Sequence, residues 1–223
     1  MLYIVGTPIG NLKDITLRAL DILKEVDLIV CEDTRRTLKL LNHYQIKKPL
    51  LSYHEHNKYR QLNKIIKSLK EGKNLALVSD AGLPCISDPG YLIVKRLIEE
   101  NLPFSIIPGP FAGVLGLILS GLPTDRFVFE GFLPYKKSKR KKRLEELKEE
   151  KRTVIIYESP HKIIKLLDSI LEILGDRKIA VVRELTKVYE EVLRGRVSEV
   201  KKILEKRDKI KGEFIVLISK DEN

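Results

Sequence analysis

The chain has 223 residues, 43% of them hydrophobic, enough for one large domain or two small ones with a real apolar core. Its formal net charge of +11 is uneven: residues 1–125 carry 16 basic and 13 acidic side chains, residues 126–223 carry 26 and 18. With no apolar run of about eighteen residues, no basic leader region and only Cys31 and Cys85 as thiols, neither a membrane span, a signal peptide nor a disulfide framework is expected, and the chain reads as cytoplasmic.

Strand and helix patterns alternate from the start. Leu2–Val5 reads as a strand entering the turn-rich loop 6–11, and apolar positions 15, 19, 20, 22, 23 and 26 predict an amphipathic helix over Asp14–Val26. Asp27–Cys31 is a strand, and Asp33 or Thr34 caps a helix that runs through Tyr44. Leu50–Tyr53 is a weaker strand, followed by a polar helix from Lys58 to Glu71. The apolar run Asn74–Val78 leads into the stretch on which the chain is organised, Ser79-Asp80-Ala81-Gly82-Leu83-Pro84-Cys85-Ile86-Ser87-Asp88-Pro89-Gly90, with Asp88 as expected N-cap and Pro89 as first residue of the next helix. Phe104–Ile107, the loop 108–113 and an apolar helix to Ser120 complete five strand–helix units, which imply an α/β fold with a mainly parallel sheet.

Gly121–Asp125 marks the expected boundary between domains at 1–121 and 122–223. Beyond it, strands are expected at Arg126–Phe132, Thr153–Tyr157, Lys178–Leu185, Tyr189–Arg194 and Phe214–Ser219. Helices are expected at 138–151, Pro160–Leu174 and Val197–Lys206, with Gly175 as a stop. Lys178–Leu185 and Tyr189–Arg194 are close enough for a hairpin, so this sheet should be mixed.

Four loops, 6–11, 79–90, 108–113 and 121–125, combine Gly with Pro and often Ser, Thr or Asp. Glycine admits a ligand to the backbone and proline fixes the loop beside it. In open α/β sheets ligands sit beyond the carboxyl ends of the strands. Pro8 spoils a G-x-G-x-x-G dinucleotide fingerprint, and no phosphate loop, Ser-His-Asp set or Cys-His set is present. His54-Glu55-His56 would face one way on a strand, which makes a metal conceivable, but a polar loop is the simpler reading, and no metal is expected. Lys136-Lys137-Ser138-Lys139-Arg140-Lys141-Lys142-Arg143 places seven cations in eight positions, a pattern that suits a polyanion. Composition and spacing thus reach a cytosolic ligand-binding α/β enzyme with a basic patch, and no reaction.

The motifs go further. Leu2–Thr16, Glu32-Asp33-Thr34-Arg35, Leu77–Gly82, Ser87–Gly90, Pro108-Gly109-Pro110, Gly121–Phe127, Glu130–Pro134, Tyr157–His161, Arg183–Lys187 and Lys211-Gly212-Glu213 span nearly the whole chain in one order. Together they resemble the tetrapyrrole-methylase superfamily, and within it the ribosomal RNA methyltransferases of the small subunit. Gly6 and Pro160 stand where relatives often have other residues. The resemblance implies a two-domain fold, commonly a homodimer, with S-adenosylmethionine in a cleft between the domains. It implies methylation of the ribose 2′-oxygen of a decoding-centre cytidine in 16S rRNA, within a partly assembled small ribosomal subunit and away from any membrane. Carried over by position, Ser79, Asp80, Ala81 and Gly82 meet the amino-acid part of the cofactor, with Ala112 and Gly113 on a loop approaching it. Tyr157, Leu185 and Gly212 fall where the superfamily contacts adenosine, and Pro8 lies at the floor of the substrate side.

A ribose hydroxyl must lose its proton to attack, so a base or a neighbouring cation should assist. Candidates are Asp80, Glu158, Glu184, Arg183, Lys187 and His161, with Glu184 and Asp80 favoured. Arg183-Glu184 equally suits a structural ion pair, and Asp80 equally suits a loop cap. Lys136, Lys137, Lys139, Arg140, Lys141, Lys142 and Arg143 are expected to bind RNA phosphates, and Arg35 either guides RNA or serves a helix cap. Tyr135 stacks on a base or merely packs its loop. The competing readings are a methyltransferase of the same fold acting on a tetrapyrrole or diphthamide precursor, and a non-catalytic RNA-binding assembly factor.

Overall fold

The computed structural model describes residues 1–220, which divide into two compact units, Met1–Phe111 and the remainder from Ala112 onward. In the first unit β1 (Leu2–Val5), β2 (Leu28–Cys31), β3 (Leu50–Ser52), β4 (Leu75–Leu77) and β5 (Phe104–Ile107) form one sheet in the order β3-β2-β4-β1-β5. Every pairing is parallel, which accounts for strands that are short apolar runs rather than alternating ones. Helices α1 (Leu17–Glu25) and α2 (Thr34–His43) cover one face, over Val5, Leu23, Ile29 and Leu41. Helices α3 (Lys58–Lys70) and α4 (Tyr91–Glu99) cover the other, over Leu2, Ile4, Ile65, Ile93 and Leu97.

In the second unit α5 (Ala112–Ser120), β6 (Phe127–Phe132), α6 (Lys137–Glu146), β7 (Thr153–Glu158), α7 (Ile163–Leu174), β8 (Lys178–Arg183), β9 (Glu191–Arg196), α8 (Val197–Glu205) and β10 (Phe214–Ile218) follow in turn. The sheet runs β6-β7-β10-β8-β9, with β6 and β7 parallel and the other neighbours antiparallel. The division falls between Phe111 and Ala112, ahead of the expected Gly121–Asp125 boundary. The apolar helix α5 accordingly packs on the second sheet: Gly116 lies against Ile215, and Arg194 Nε donates to the Ser120 carbonyl at its end.

Several element ends differ from the periodicity. Residues 12–14 form a 3₁₀ turn, and α1 starts only at Leu17, because the Thr16 hydroxyl accepts from Ala19 N at 3.1 Å. Helix α4 starts at Tyr91 with Gly90 as its cap, so Asp88 and Pro89 belong to the loop. Helix α6 stops at Glu146, α7 begins at Ile163, and the β8–β9 connection spans residues 184–190 rather than three residues. Among the described residues no helix is long and apolar enough to cross a membrane.

Candidate functional site

In the first unit β1 leads toward β2 on one side of the sheet and β4 toward β5 on the other, so the loops after β1 and β4 diverge at neighbouring carboxyl ends. That is where open α/β sheets place ligands. The two loops are tied together: Thr7 N donates to Gly82 O at 2.9 Å, Gly82 N returns to Thr7 O at 3.0 Å, and the buried Thr7 hydroxyl donates to Ser79 O at 3.3 Å. The loop after β5 joins them, with Gly6 N donating to Ile107 O at 3.0 Å. Gly6 and Gly109 touch so closely that a Cβ on Gly6 would stand 2.6 Å from Gly109 Cα. Glycine is required on both sides of that contact. Pro8 is buried beside it.

Asp80 opens the loop after β4 by reaching across to the end of β2. Its Oδ1 accepts from Asp33 N at 3.1 Å, and its Oδ2 lies 3.3 Å from Arg36 Nη1. Asp33 caps α2 through Arg35 N at 2.8 Å and also holds the Arg35 guanidinium, so Arg35 is exposed but ion-paired. These bonds keep the Asp33 carboxyl well below the usual carboxylate range. Asp88 behaves oppositely: burial first, then the like charges of Glu32 and Asp80, push it up to about 6 despite a hydrogen bond from Ser79. Burial and the Asp80 charge raise Glu32 as well.

Six non-glycine residues among those described have positive φ. Gln45 and Asn101 follow the ends of α2 and α4, an ordinary place for it. The other four are Cys85 (73°) and Ser87 (61°) in the loop after β4, and Glu184 (52°) and Thr186 (65°) in the loop after β8. Strain of about 1–3 kcal/mol per residue persists only where the surroundings enforce it, and it gathers at ligand sites.

The second unit holds the loop after β8 with a compact network. Glu184 Oε1 accepts from Lys187 Nζ and from Glu213 N, both at 2.9 Å, and Lys187 also pairs with Glu213. Burial alone would raise the Glu184 carboxyl, but these donors outweigh it and hold it low. Gly212 makes room, since a Cβ there would lie 2.7 Å from Glu184 Cγ. Leu185 is buried, and the buried Thr186 hydroxyl has no hydrogen-bond partner among the described residues. At the start of α5, Gly113 N donates to the Tyr157 hydroxyl at 2.8 Å, and Phe129 and Phe132 pack edge-on against the Tyr157 ring. Ala112 is the first residue of the same helix.

The basic run is less uniform than it reads. Arg143 forms a fork with Glu130 at 2.7 and 2.6 Å and bonds Glu146 at 2.6 Å, and Lys141 pairs with Glu172 at 3.2 Å. Lys136, Lys137, Lys139 and Lys142 are exposed and have no acidic partner among the described residues, while Arg140 is half-buried. No acidic residue lies in the first turn of α6. Cations at a helix N-terminus oppose the macrodipole by about 0.3–1 kcal/mol each at low ionic strength, so these lysines do not serve the stability of α6.

The structure therefore groups Pro8 and Ser79–Gly82 in one loop cluster, Ala112, Gly113 and Tyr157 in a second, and Glu184, Leu185 and Gly212 in a third. His54 and His56 sit in a turn, and no group of three or more His, Cys, Asp or Glu that could hold a metal occurs among the described residues. Sequence reading passed over Thr7, Arg36, Asp88, Thr186 and Glu130, whose parts depend on partners distant in the chain. Only the turn chemistry around Asp88 signalled its loop.

A family model described as Tetrapyrrole (Corrin/Porphyrin) Methylases matches residues 1–201. A protein of Thermotoga maritima named ribosomal RNA small subunit methyltransferase I is 51% identical over 218 residues, covering 98% of this chain and 97% of its own. A Bacillus subtilis protein of the same name is 52% identical over 223 residues, 100% of this chain and 76% of its own. The solved structure of uroporphyrin-III C-methyl transferase from Thermus thermophilus, complexed with S-adenosylhomocysteine, shares the fold with a TM-score of 0.66 at 19% identity, covering 97% of this chain and 96% of that one.

Proposed function

Because the chain belongs to the tetrapyrrole methylase family and, within it, to the ribosomal RNA small subunit methyltransferase I group, we infer that it is an S-adenosylmethionine-dependent ribosomal RNA methyltransferase. The observation that carries the reading is identity of about half, sustained over nearly the whole chain, to proteins with that name. The finer reading is methylation of the ribose 2′-oxygen of a decoding-centre cytidine in 16S rRNA of the small ribosomal subunit, by a cytoplasmic homodimer. Tetrapyrrole and diphthamide precursors are weaker alternatives, since they leave the exposed lysines of α6 without a partner.

The residues present fit the cofactor. Glycines permit close backbone approach in the loop after β4, where a Cβ on Gly82 would press within 3.2 Å of Pro110 O, and the Thr186 hydroxyl offers a buried group with no hydrogen-bond partner among the described residues. Ser79–Gly82 would take the amino-acid end, with Ala112 and Gly113 approaching it, and Tyr157, Leu185 and Gly212 would take the adenosine. S-adenosylmethionine, when bound, would supply a methyl carbon on a positively charged sulfur, so that transfer would form an O–C bond as the S–C bond breaks, with S-adenosylhomocysteine as leaving group and the hydroxyl proton released. The protein's part is alignment, for which strained and mutually tethered loops are suited. Asp80 and Glu184 act as positioning residues on this reading: Asp80 fixes the end of β2, and Glu184, held ionised by Lys187, fixes the 184–186 loop.

The test incubates the protein with tritiated-methyl S-adenosylmethionine and small subunits that lack their own modification, then digests the RNA to nucleosides. Label in 2′-O-methylcytidine is the expected result. RNA binding with no labelled nucleoside would overturn it in favour of an assembly factor.

A further inference from the structure

Between β6 and α6 the chain presents two large aromatic side chains to solvent. Phe132 is 62% exposed and Tyr135 82% exposed. Neither ring is loose. Phe132 packs edge-on against Tyr157 with centroids 5.6 Å apart, and Lys162 Nζ stands 4.2 Å from the centroid of Tyr135. That cation holds one face of the Tyr135 ring and fixes its orientation at small entropic cost. The unpaired lysines 136, 137, 139 and 142 begin at the next residue. Exposed, pre-oriented aromatics beside a row of unpaired cations make the arrangement by which proteins hold single-stranded nucleic acid: phosphates on the cations, bases on the rings. A protein partner would need acidic groups against four unpaired ammonium ions and would not require ordered ring faces.

We propose that Phe132 and Tyr135 form a stacking platform that holds an unpaired nucleotide of the RNA substrate beside Tyr157, while the lysines of α6 carry its backbone. The proposal rests on the RNA methyltransferase reading and adds to it a specificity for unpaired over duplex RNA. Phosphate contacts are available from either form, but only an unpaired base can reach a ring face.

The test uses fluorescence anisotropy with a labelled single-stranded oligoadenylate and a duplex RNA of equal length, each over a series of salt concentrations. Phe132→Ala combined with Tyr135→Ala should weaken oligoadenylate binding about five- to 150-fold, the span for one stacked base, and leave duplex affinity and both salt slopes unchanged. Tyr135→Phe, which keeps the ring, should bind like the unaltered protein, and Tyr135→Leu should not. Equal losses on both RNAs, no loss on either, or a change in sedimentation without a change in RNA affinity would overturn the platform, the last pointing instead to a contact between copies of the chain. Failure of the unaltered protein to bind either RNA would overturn the RNA methyltransferase reading along with it.

Discussion

Replacing Lys136, Lys137, Lys139 and Lys142 together by Gln tests whether the structure identifies the RNA-binding cations correctly. The sequence offers seven; the ion pairs of Arg143 and Lys141 leave these four as the freely available set, with Arg140 half-buried. Each cation that neutralises a phosphate of a single strand contributes about 0.7 to the slope of log K against log salt, so the fourfold variant should lose a slope of about 3. Between roughly 50 and 200 mM salt the unaltered protein should therefore lose about fiftyfold more affinity than the variant does. Fold stability should move the other way. Lys136, Lys137 and Lys139 crowd the N-terminal turn of α6, so their removal should raise stability by about 1 kcal/mol at low salt. Titrations over a salt series and urea unfolding of the same preparations give both numbers. An unchanged slope, or a variant less stable than the parent, would refute the assignment of these lysines to phosphate.

Arg143 should behave differently from its neighbours. Arg143→Met strips two bonds from the Glu130 carboxylate, whose side chain is 8% exposed, and should cost about 2–3 kcal/mol in urea unfolding, with Glu130→Gln in the same chain restoring part of it. The salt slope of RNA binding should not change, and a smaller slope would place Arg143 among the phosphate contacts. Asp88 sets a pH dependence. Its carboxyl titrates near 6 in the fold against about 4 when unfolded. Below about pH 4 both states are protonated; between 4 and 6 the fold keeps a proton that the unfolded chain has released, so stability falls as pH rises through this window. Asp88→Asn should therefore gain about 1–2 kcal/mol at pH 8, allowing for partial solvent screening, and almost nothing at pH 3.5. An equal gain at both values would mean that the ionised carboxylate is not what costs the fold.

The strands were legible because central strands covered on both faces leave short apolar runs that little else produces, as in Asn74–Val78 of the parallel sheet and Phe214–Ser219, which pairs antiparallel on both sides. Helix ends were less so. Whether Thr16 or Asp14 begins α1, or Gly90 rather than Asp88 precedes α4, depends on which hydrogen bond the folded chain satisfies first. The loop after β4 announced itself through turn residues, yet its strain at Cys85 and Ser87 did not, since neither is a residue that ordinarily favours positive φ. Glu184 and Arg143 show the same limit from the side of charge. Each reads as an available ionic group, and each proves to be held by an i,i+3 partner together with a distant one, Arg143 by Glu130 13 residues away and Glu184 by the Glu213 amide 29 residues away. Long-range pairing helps decide what a charged side chain is free to do, and no local pattern encodes that share of it.

The order of strands bears on how the chain folds as it is made. In the second unit β10, the last of the described strands, lies in the middle of the sheet, hydrogen-bonded to β7 on one side and β8 on the other. The β6–β7 pair and the β8–β9 hairpin can assemble earlier, but each then presents a naked apolar edge until Phe214–Ile218 emerges to zip them together. In the first unit β1 likewise waits for its two neighbours, β4 and β5. Both sheets are thus keyed by strands that find their places late, a high-contact-order arrangement that slows folding and leaves sticky half-sheets exposed during synthesis. Cells making this protein have reason to shelter it until β10 is in place.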